Sequence, residues 1–343
     1  MDRRPGGGSH TVNVTRSDSP WLHRFAVLTA SATFCLVIAG GLVTSTDSGL
    51  AVPDWPLSYG QLMPPMVGGI FYEHGHRMVA TLVGLLTTIL ALWLWRAETR
   101  PWVRTLGFVA LAAVITQGVL GGLTVLFLLP TPISVAHATL AQSFFCLTVI
   151  LALVTSRDWR DRPELSAAPA TRRLAFAASA AVLIQLVIGA WMRHSGAGLA
   201  IPDFPLSYGE VLPPSGPEGL SLINGIRREW YDLAPVGGGQ VWIHFAHRAG
   251  GVVVSAAVLW LGIHILRSYK EEPRLREPAL IMMMLVLVQF LLGALTVWTG
   301  RGVQIATVHV ATGALLFATT VFIAVRVSHL YGVPAPAAEP VRP

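Results

Sequence analysis

The residues of this chain best suited to chemistry are four histidines at matching places in its two halves. Glu73-His74-Gly75-His76-Arg77 is a charged, His-rich pentad read as the opening of an apolar helix, and it returns as His244-Phe245-Ala246-His247-Arg248. His137 and His309 fall near the starts of the second apolar helix after each pentad. His76 and His137 thus begin helices that run in the same direction and lie at similar depth; His247 and His309 repeat the relation. Two inward imidazoles on different helices of a bundle can clamp an iron between them, and haem is the group that fills such a core. Small residues follow each histidine (Ala80 and Thr81, Ala138 and Thr139, Gly250 and Gly251, Ala311 and Thr312), leaving room for a macrocycle. One histidine at a helix end is ordinarily a solvated interfacial residue; four at equivalent positions are not, because ionisable groups inside a membrane are functional by default. An iron held by two histidines has no open position. It either passes electrons or serves as a handle while reaction occurs at the porphyrin edge, and the spacing does not choose.

The halves differ at one place. Glu73 stands three residues before His76, where His244 stands before His247. A spacing of three keeps both side chains on one helical face. A carboxylate beside a hydrophobic cofactor can serve proton transfer or charge stabilisation; equally, Glu73 can complement the positive start of its helix. Arg77 and Arg248 have two open readings as well, as partners of haem propionates or as interfacial anchors. His74 borders the first site, and His194 ends the fifth apolar run. His10, His23, His264 and His329 lie in or near segments of the opposite side and carry no signal.

These residues need a scaffold, and composition supplies it. Apolar types make up 53% of the chain and charged types 12%, enough for eight runs of roughly 20 residues, the length that spans a hydrocarbon core. They fall near 25–44, 76–96, 104–128, 133–155, 172–194, 242–266, 278–298 and 304–328. In lipid such runs must be helices, so the expected class is an all-α integral membrane protein. The first run is too long for a signal-peptide core and is kept as a span. The net charge of +6 does not point to nucleic acid. Its arginines and lysines gather before the first run and between runs two and three, four and five, and six and seven, while the alternate loops are nearly free of cations. That asymmetry places both termini in the cytoplasm and all four histidines toward the outer side of a cell membrane. Cys35 and Cys146 fall inside apolar runs, and no CxxC or CxxCH motif is present, so any haem is held non-covalently.

The chain repeats itself. Residues 49–60, GLAVPDWPLSYG, recur as GLAIPDFPLSYG at 198–209, and Gln117, Gly121, Leu123, Thr124 and Val125 recur as Gln289, Gly293, Leu295, Thr296 and Val297. Four helices per copy give both copies the same orientation, related by a pseudo-two-fold axis along the membrane normal. The expected organisation is a disordered tail over 1–24, a four-helix bundle over 25–155, a cytoplasmic linker over 156–171, a second bundle over 172–328 and a disordered tail over 329–343. The long loops 45–75 and 195–241 have stiff Pro-Asp-aromatic-Pro cores and read as ordered lids over the bundle mouths, or else as well-packed connectors.

The combination of Gly-Leu-Ala-x-Pro-Asp-Trp-Pro-Leu, Glu-x-x-His-Arg at Glu73–Arg77, His247-Arg248, His137 and His309 resembles the haem A synthase family from about Phe25 to Val327. The resemblance implies oxidation of the C8 methyl of haem O to a formyl group by successive hydroxylation, in support of cytochrome oxidase assembly. It implies a haem b between His247 and His309, with Arg248 beside it, relaying electrons. The substrate haem O falls to the half with His76, Arg77 and His137, and the reacting carboxylate to Glu73. Implied partners are a redox partner, haem O with its synthase, and membrane lipid; association with a second copy is left open. Some family members carry a cysteine pair in the first outer loop; Val52 and Ser58 or a near neighbour stand there instead, so thiol chemistry does not operate in this chain. A different class remains open, a dihaem b-type electron-transfer protein, against which the Glu73/His244 difference counts because a conduit needs no carboxylate beside one haem only. A tandem-repeat transporter would need intramembrane charges near the midplane, and haem O synthesis by prenyl transfer would need an aspartate-rich pair; neither is present.

Overall fold

A computed structural model of the chain describes residues 20–160 and 168–331. The described residues form ten helices: α1 Pro20–Ser45, α2 Gly68–Ala97, α3 Pro101–Leu126, α4 Thr131–Thr155, α5 Arg157–Arg160, α6 Pro169–His194, α7 Gly216–Trp230, α8 Gly238–Ser268, α9 Pro273–Trp298 and α10 Val303–Tyr331. Eight of them, all but α5 and α7, are long and apolar enough to cross a membrane. Only isolated bridges, one in each lid, interrupt the all-helical character. The protein is a multi-pass membrane protein. Of the tails expected to be disordered, residues 20–24 belong to α1 and 329–331 complete α10, while in the linker 157–160 form α5 and 169–171 open α6; the remaining parts of the tails and the centre of the linker lie outside the described residues.

Spans begin earlier than hydropathy alone places them. α2 starts at Gly68 and not near 76, and α8 at Gly238 and not near 242. Polar residues such as Glu73 and His74 lower the local hydropathy. Their side chains find partners in the lids, so the helical backbone runs straight through them. His76 and His247 therefore sit more than two turns inside their helices rather than at the openings.

Helix contacts close two rings of four. α1 packs on α2 and α4, and α3 on α2 and α4; in the second half α6 packs on α8 and α10, and α9 on α8 and α10. The histidine-bearing helices α2 and α4, like α8 and α10, occupy opposite corners. Each ring has its own apolar core, one containing Val83, Leu90, Leu94 and Leu151, the other Val258, Leu261, Met282 and Ile323. The rings meet through α1 on α10, α4 on α10 and α4 on α6. α4 and α10 are accordingly the most enclosed spans, half or more of their apolar windows being buried against a third or less elsewhere. Lipid offers no hydrophobic drive for helices to associate, so close packing at small residues supplies it. A Cβ on Gly107 would meet Leu94 at 3.0 Å, and one on Gly262 would meet Met283 at 2.4 Å. Many threonine hydroxyls inside the spans return to carbonyls of their own helices, as Thr33 does to Thr29 and Thr87 to Val83, both at 2.7 Å, which pairs them without a partner helix.

Ion pairs tie the halves at both ends. At the lid end Arg193 donates to the carbonyl of Thr44 and to Asp47 Oδ1, the latter at 3.0 Å. At the opposite end Asp158 in α5 pairs with Arg274 of α9 at 2.6 Å and with Arg326 of α10. Burial pushes the Asp158 carboxyl up, and the two guanidiniums more than reverse it, holding it below the usual aspartate range.

Candidate functional site

The four histidines of the repeat face the interiors of the two rings, and each lies against a glycine of the neighbouring helix. A Cβ on Gly40 of α1 would stand 3.2 Å from Cε1 of His76, and one on Gly121 of α3 3.2 Å from that of His137. In the second half the distances are 2.9 Å from Gly189 of α6 to His247 and 3.3 Å from Gly293 of α9 to His309. Four imidazoles are thus seated directly on helix backbone, a close approach that only glycine permits. Nδ1 of His76, His137 and His309 is buried without a hydrogen-bond partner. Buried polar atoms are rarely left so, which marks these rings as having polar capacity not met by protein groups within the bundles.

The donor set fits haem. His247 and His309 have ring centroids 6.4 Å apart and planes at 77°, a separation that two imidazole–metal bonds of about 2 Å each, with the ring radii, would produce. No group of three or more His, Cys, Asp or Glu side chains converges among the described residues. Each pair offers two imidazoles, the number of protein ligands that a haem iron would take from a helix bundle. Glutamines buttress the rings: Gln185 Nε2 donates to the His247 carbonyl at 2.7 Å and lies 3.0 Å from Nδ1, Gln289 Nε2 lies 3.4 Å from His309 Nε2, and Gln117 Nε2 donates to the His137 carbonyl at 3.0 Å. Gly250 leaves the space that Gln185 occupies, since a Cβ there would meet its Oε1 at 2.3 Å.

Above each pair lies a lid with the same internal build. Asp54 accepts from the backbone N–H of Tyr59 and Gly60 at 2.6 and 2.8 Å, and Asp203 from those of Tyr208 and Gly209 at 2.8 and 2.9 Å. Those bonds, Gly60 first, hold the Asp54 carboxyl below its ordinary range. Tyr59 and Tyr208 have φ of 53° and 59°, followed by glycines at 70° and 83°. Each tyrosine hydroxyl reaches back to a carbonyl, Ala51 or Ala200. Both long loops are ordered and fastened to α2 or α8 beneath them.

Glu73 and His244 grip the lids at the same atom. Glu73 Oε2 accepts the N–H of Val52 at 2.8 Å, and His244 Nδ1 accepts the N–H of Ile201 at 3.2 Å; Val52 and Ile201 are repeat equivalents. Glu73 is 4% exposed and stands in the second turn of α2, beyond the first turn within which a helix terminus acts. Helix-end electrostatics therefore do not explain it. Its second oxygen takes Arg77 at 2.6 Å. Arg77 also donates to the carbonyls of Asp54, Leu57 and Val52, and Arg248 to those of Leu206 and Ile201 at 2.9 and 2.8 Å. Both arginines thus fasten the lids, with Nε of Arg248 buried and unpartnered. His74 Nδ1 meets Ser58 Oγ at 2.8 Å, a contact the second half lacks because Phe245 replaces it.

Sequence reasoning passed over Gly40, Gly189 and Gln185. The two glycines fall in register with one another in the repeat, a signal that was available; Gln185 has Leu36 as its counterpart and gave none. It also missed α7, whose Arg227 is 4% exposed and donates to the carbonyls of Leu199 and Ala234 at 2.6 and 2.9 Å. That helix and a small core of Ile201, Ile223 and Val241 brace the second lid only.

Fold and site together define a class: a multi-pass membrane protein of eight candidate spans with two inward-facing histidine pairs, each beneath an ordered loop, and a buried carboxylate in one half only. The chain belongs to the COX15-CtaA family of cytochrome oxidase assembly proteins, whose model matches residues 23–68 and 66–321. Among its relatives is the heme A synthase of Halalkalibacterium halodurans, 28% identical over 87% of this chain and 94% of that one. The heme A synthase of Alkalihalophilus pseudofirmus is 29% identical over 85% and 93%, and that of Symbiobacterium thermophilum 30% identical over 76% and 80%.

Proposed function

We infer that this protein is a haem A synthase, an oxidoreductase that converts the C8 methyl of haem O to a formyl group by successive hydroxylation. Its membership of the family and its full-length likeness to heme A synthases support the activity. The observation that carries the division of labour is the Glu73/His244 difference beneath two otherwise equivalent lids. We assign haem O to His76 and His137 and haem b to His247 and His309. When bound, haem b supplies a one-electron relay for the oxidation.

The residues of the chain do the rest. The glycine seats fix the azimuth of each imidazole, and the lids exclude water above the rings. Glu73 is ion-paired with Arg77 and anchored to Val52, so it is held at one place in the substrate half, where it takes up a proton or stabilises positive charge as the methyl is oxidised. In the second half the same anchoring is done by an imidazole with no carboxylate at that position, which suits a haem that is held and not altered. The cation distribution orients the termini and the loops joining α2 to α3 and α8 to α9 to the cytoplasm, and both lids to the outer side. Haem O arrives from its synthase and electrons leave to a separate redox partner.

The test is extraction and mass identification of haems from membranes containing this chain together with a haem O source and an intact respiratory chain. Haem A or its hydroxylated precursor, appearing only when the chain is present, is the expected result. Unchanged haem O beside protein-bound haem b would overturn the synthase reading in favour of a dihaem electron carrier.

A further inference from the structure

Each lid displays two large apolar side chains at its tip. Leu62 and Met63 are 85% and 60% exposed, and their repeat equivalents Val211 and Leu212 are 76% and 61% exposed. This display is built. The preceding turn is locked by the aspartate, the positive-φ pair and the tyrosine hydroxyl described above, and by paired backbone hydrogen bonds between Ser58 and Gln61 and between Ser207 and Glu210. The residue that follows each tip, Pro64 or Pro213, is turned inward. Neither tip can fold its side chains back without breaking that frame.

What covers them follows from charge and place. From Trp55 to Tyr72 the first lid has no Asp, Glu, Lys or Arg, and from 204 to 217 the second has only Glu210. A water-facing loop or a polar protein contact rarely lacks charge over such a length. The second lid sits beside an aromatic belt: Trp191, Trp242 and Trp298 are exposed near the lid-end termini of α6, α8 and α9, where tryptophan marks the lipid–water interface, and the first lid takes the corresponding place in the repeat. The second lid touches that belt, with Phe204 edge-on to Trp298 at 5.7 Å and its carbonyl accepting from Trp298 Nε1 at 3.3 Å. Exposed apolar side chains on a nearly uncharged segment at the lid end of a membrane-spanning bundle have the character of a membrane contact.

We propose that Leu62-Met63 and Val211-Leu212 are paired membrane prongs, which insert the two lid tips into the interfacial region of the surrounding leaflet and hold the lids at the lipid boundary. The proposal rests on the membrane fold alone and not on the haem chemistry.

Cys35 is exposed and Cys146 buried, so a Cys35→Ala background leaves no accessible thiol. Nitroxide labels at Leu62→Cys and Val211→Cys, and separately at Met63→Cys and Leu212→Cys, are read in phospholipid nanodiscs by power saturation against oxygen and a water-soluble nickel chelate. Glu229→Cys, on the exposed face of α7, is the aqueous reference. All four tip labels are expected to collide more with oxygen than with nickel, the reverse of the reference. Tip labels as open to nickel as the reference would overturn the proposal. Protection from both reagents would also overturn it, in favour of a contact with protein or with a second copy. Each labelled variant is first checked for wild-type helix content by circular dichroism.

Discussion

The two halves share a scaffold down to single hydrogen bonds and differ where it matters for reaction. Both seat two imidazoles on glycines, and both fasten a lid through an arginine two to three turns into a helix. In the first half the lid atom at Val52 is gripped by a carboxylate that also pairs with Arg77. In the second the equivalent atom at Ile201 is gripped by His244, and an added helix with a buried arginine braces the lid from above. A site meant to hold a permanent group profits from bracing. The half assigned to the substrate lacks that added helix, and it alone carries a carboxylate at the lid-fastening position. The comparison therefore separates the fastening that Glu73 performs at Val52 from the chemistry proposed for it.

The largest expected effect comes from removing a ligand. His309→Ala should strip the purified protein of its permanent haem, whereas His137→Ala should keep haem b at the wild-type stoichiometry and lose product. Pyridine haemochrome quantitation reads both, and full haem b retention in His309→Ala would exchange or dissolve the assignment of the halves. Next in size is Glu73→His, which gives the first half the residue of the second. The imidazole can still accept the Val52 N–H, so amide exchange in the first lid should stay within a few fold of wild type while product falls by about 100-fold or more, the scale of a lost acid–base group. Product at the wild-type level would reduce Glu73 to a fastener. The smallest effect is steric. Gly189→Ala sets a methyl 2.9 Å from the His247 ring, against 3.2 Å for Gly40→Ala and His76. Overpacking of this kind costs about 1–3 kcal/mol, so Gly189→Ala should shift the haem b Soret band and lower its thermal retention more than Gly40→Ala does. Equal, unshifted spectra for both would remove the glycines from the binding sites.

The spans, the repeat, the four histidines and the Glu73/His244 difference were legible because each leaves a local mark: hydropathy, self-similarity, or an ionisable residue in an apolar run. Helix starts were not, because the polar residues that interrupt hydropathy at Glu73 and His74 are satisfied by groups some 20 residues away in the lids. The role of Glu73 at the Val52 N–H was hidden for the same reason. Arg77 and Arg248 showed their type but not their targets, which are lid carbonyls set by the turn geometry of Tyr59 and Tyr208. The seats at Gly40 and Gly189 depend on which helix is the neighbour, a fact of the ring order and not of spacing along the chain.

The contacts between the rings have a property that reaches beyond packing. Exchanging the halves turns α1 on α10 into α6 on α4 and returns α4 on α10 to itself, so the set of contacts is unchanged. That is the mark of a self-complementary dimer interface. Had the two halves been separate copies of one polypeptide, every substitution would have appeared at both sites at once, and a carboxylate acquired beneath one lid would have been imposed on the other. A single covalent chain removes that tie: each half is inherited, mutated and selected at its own positions while the old seam still holds them together.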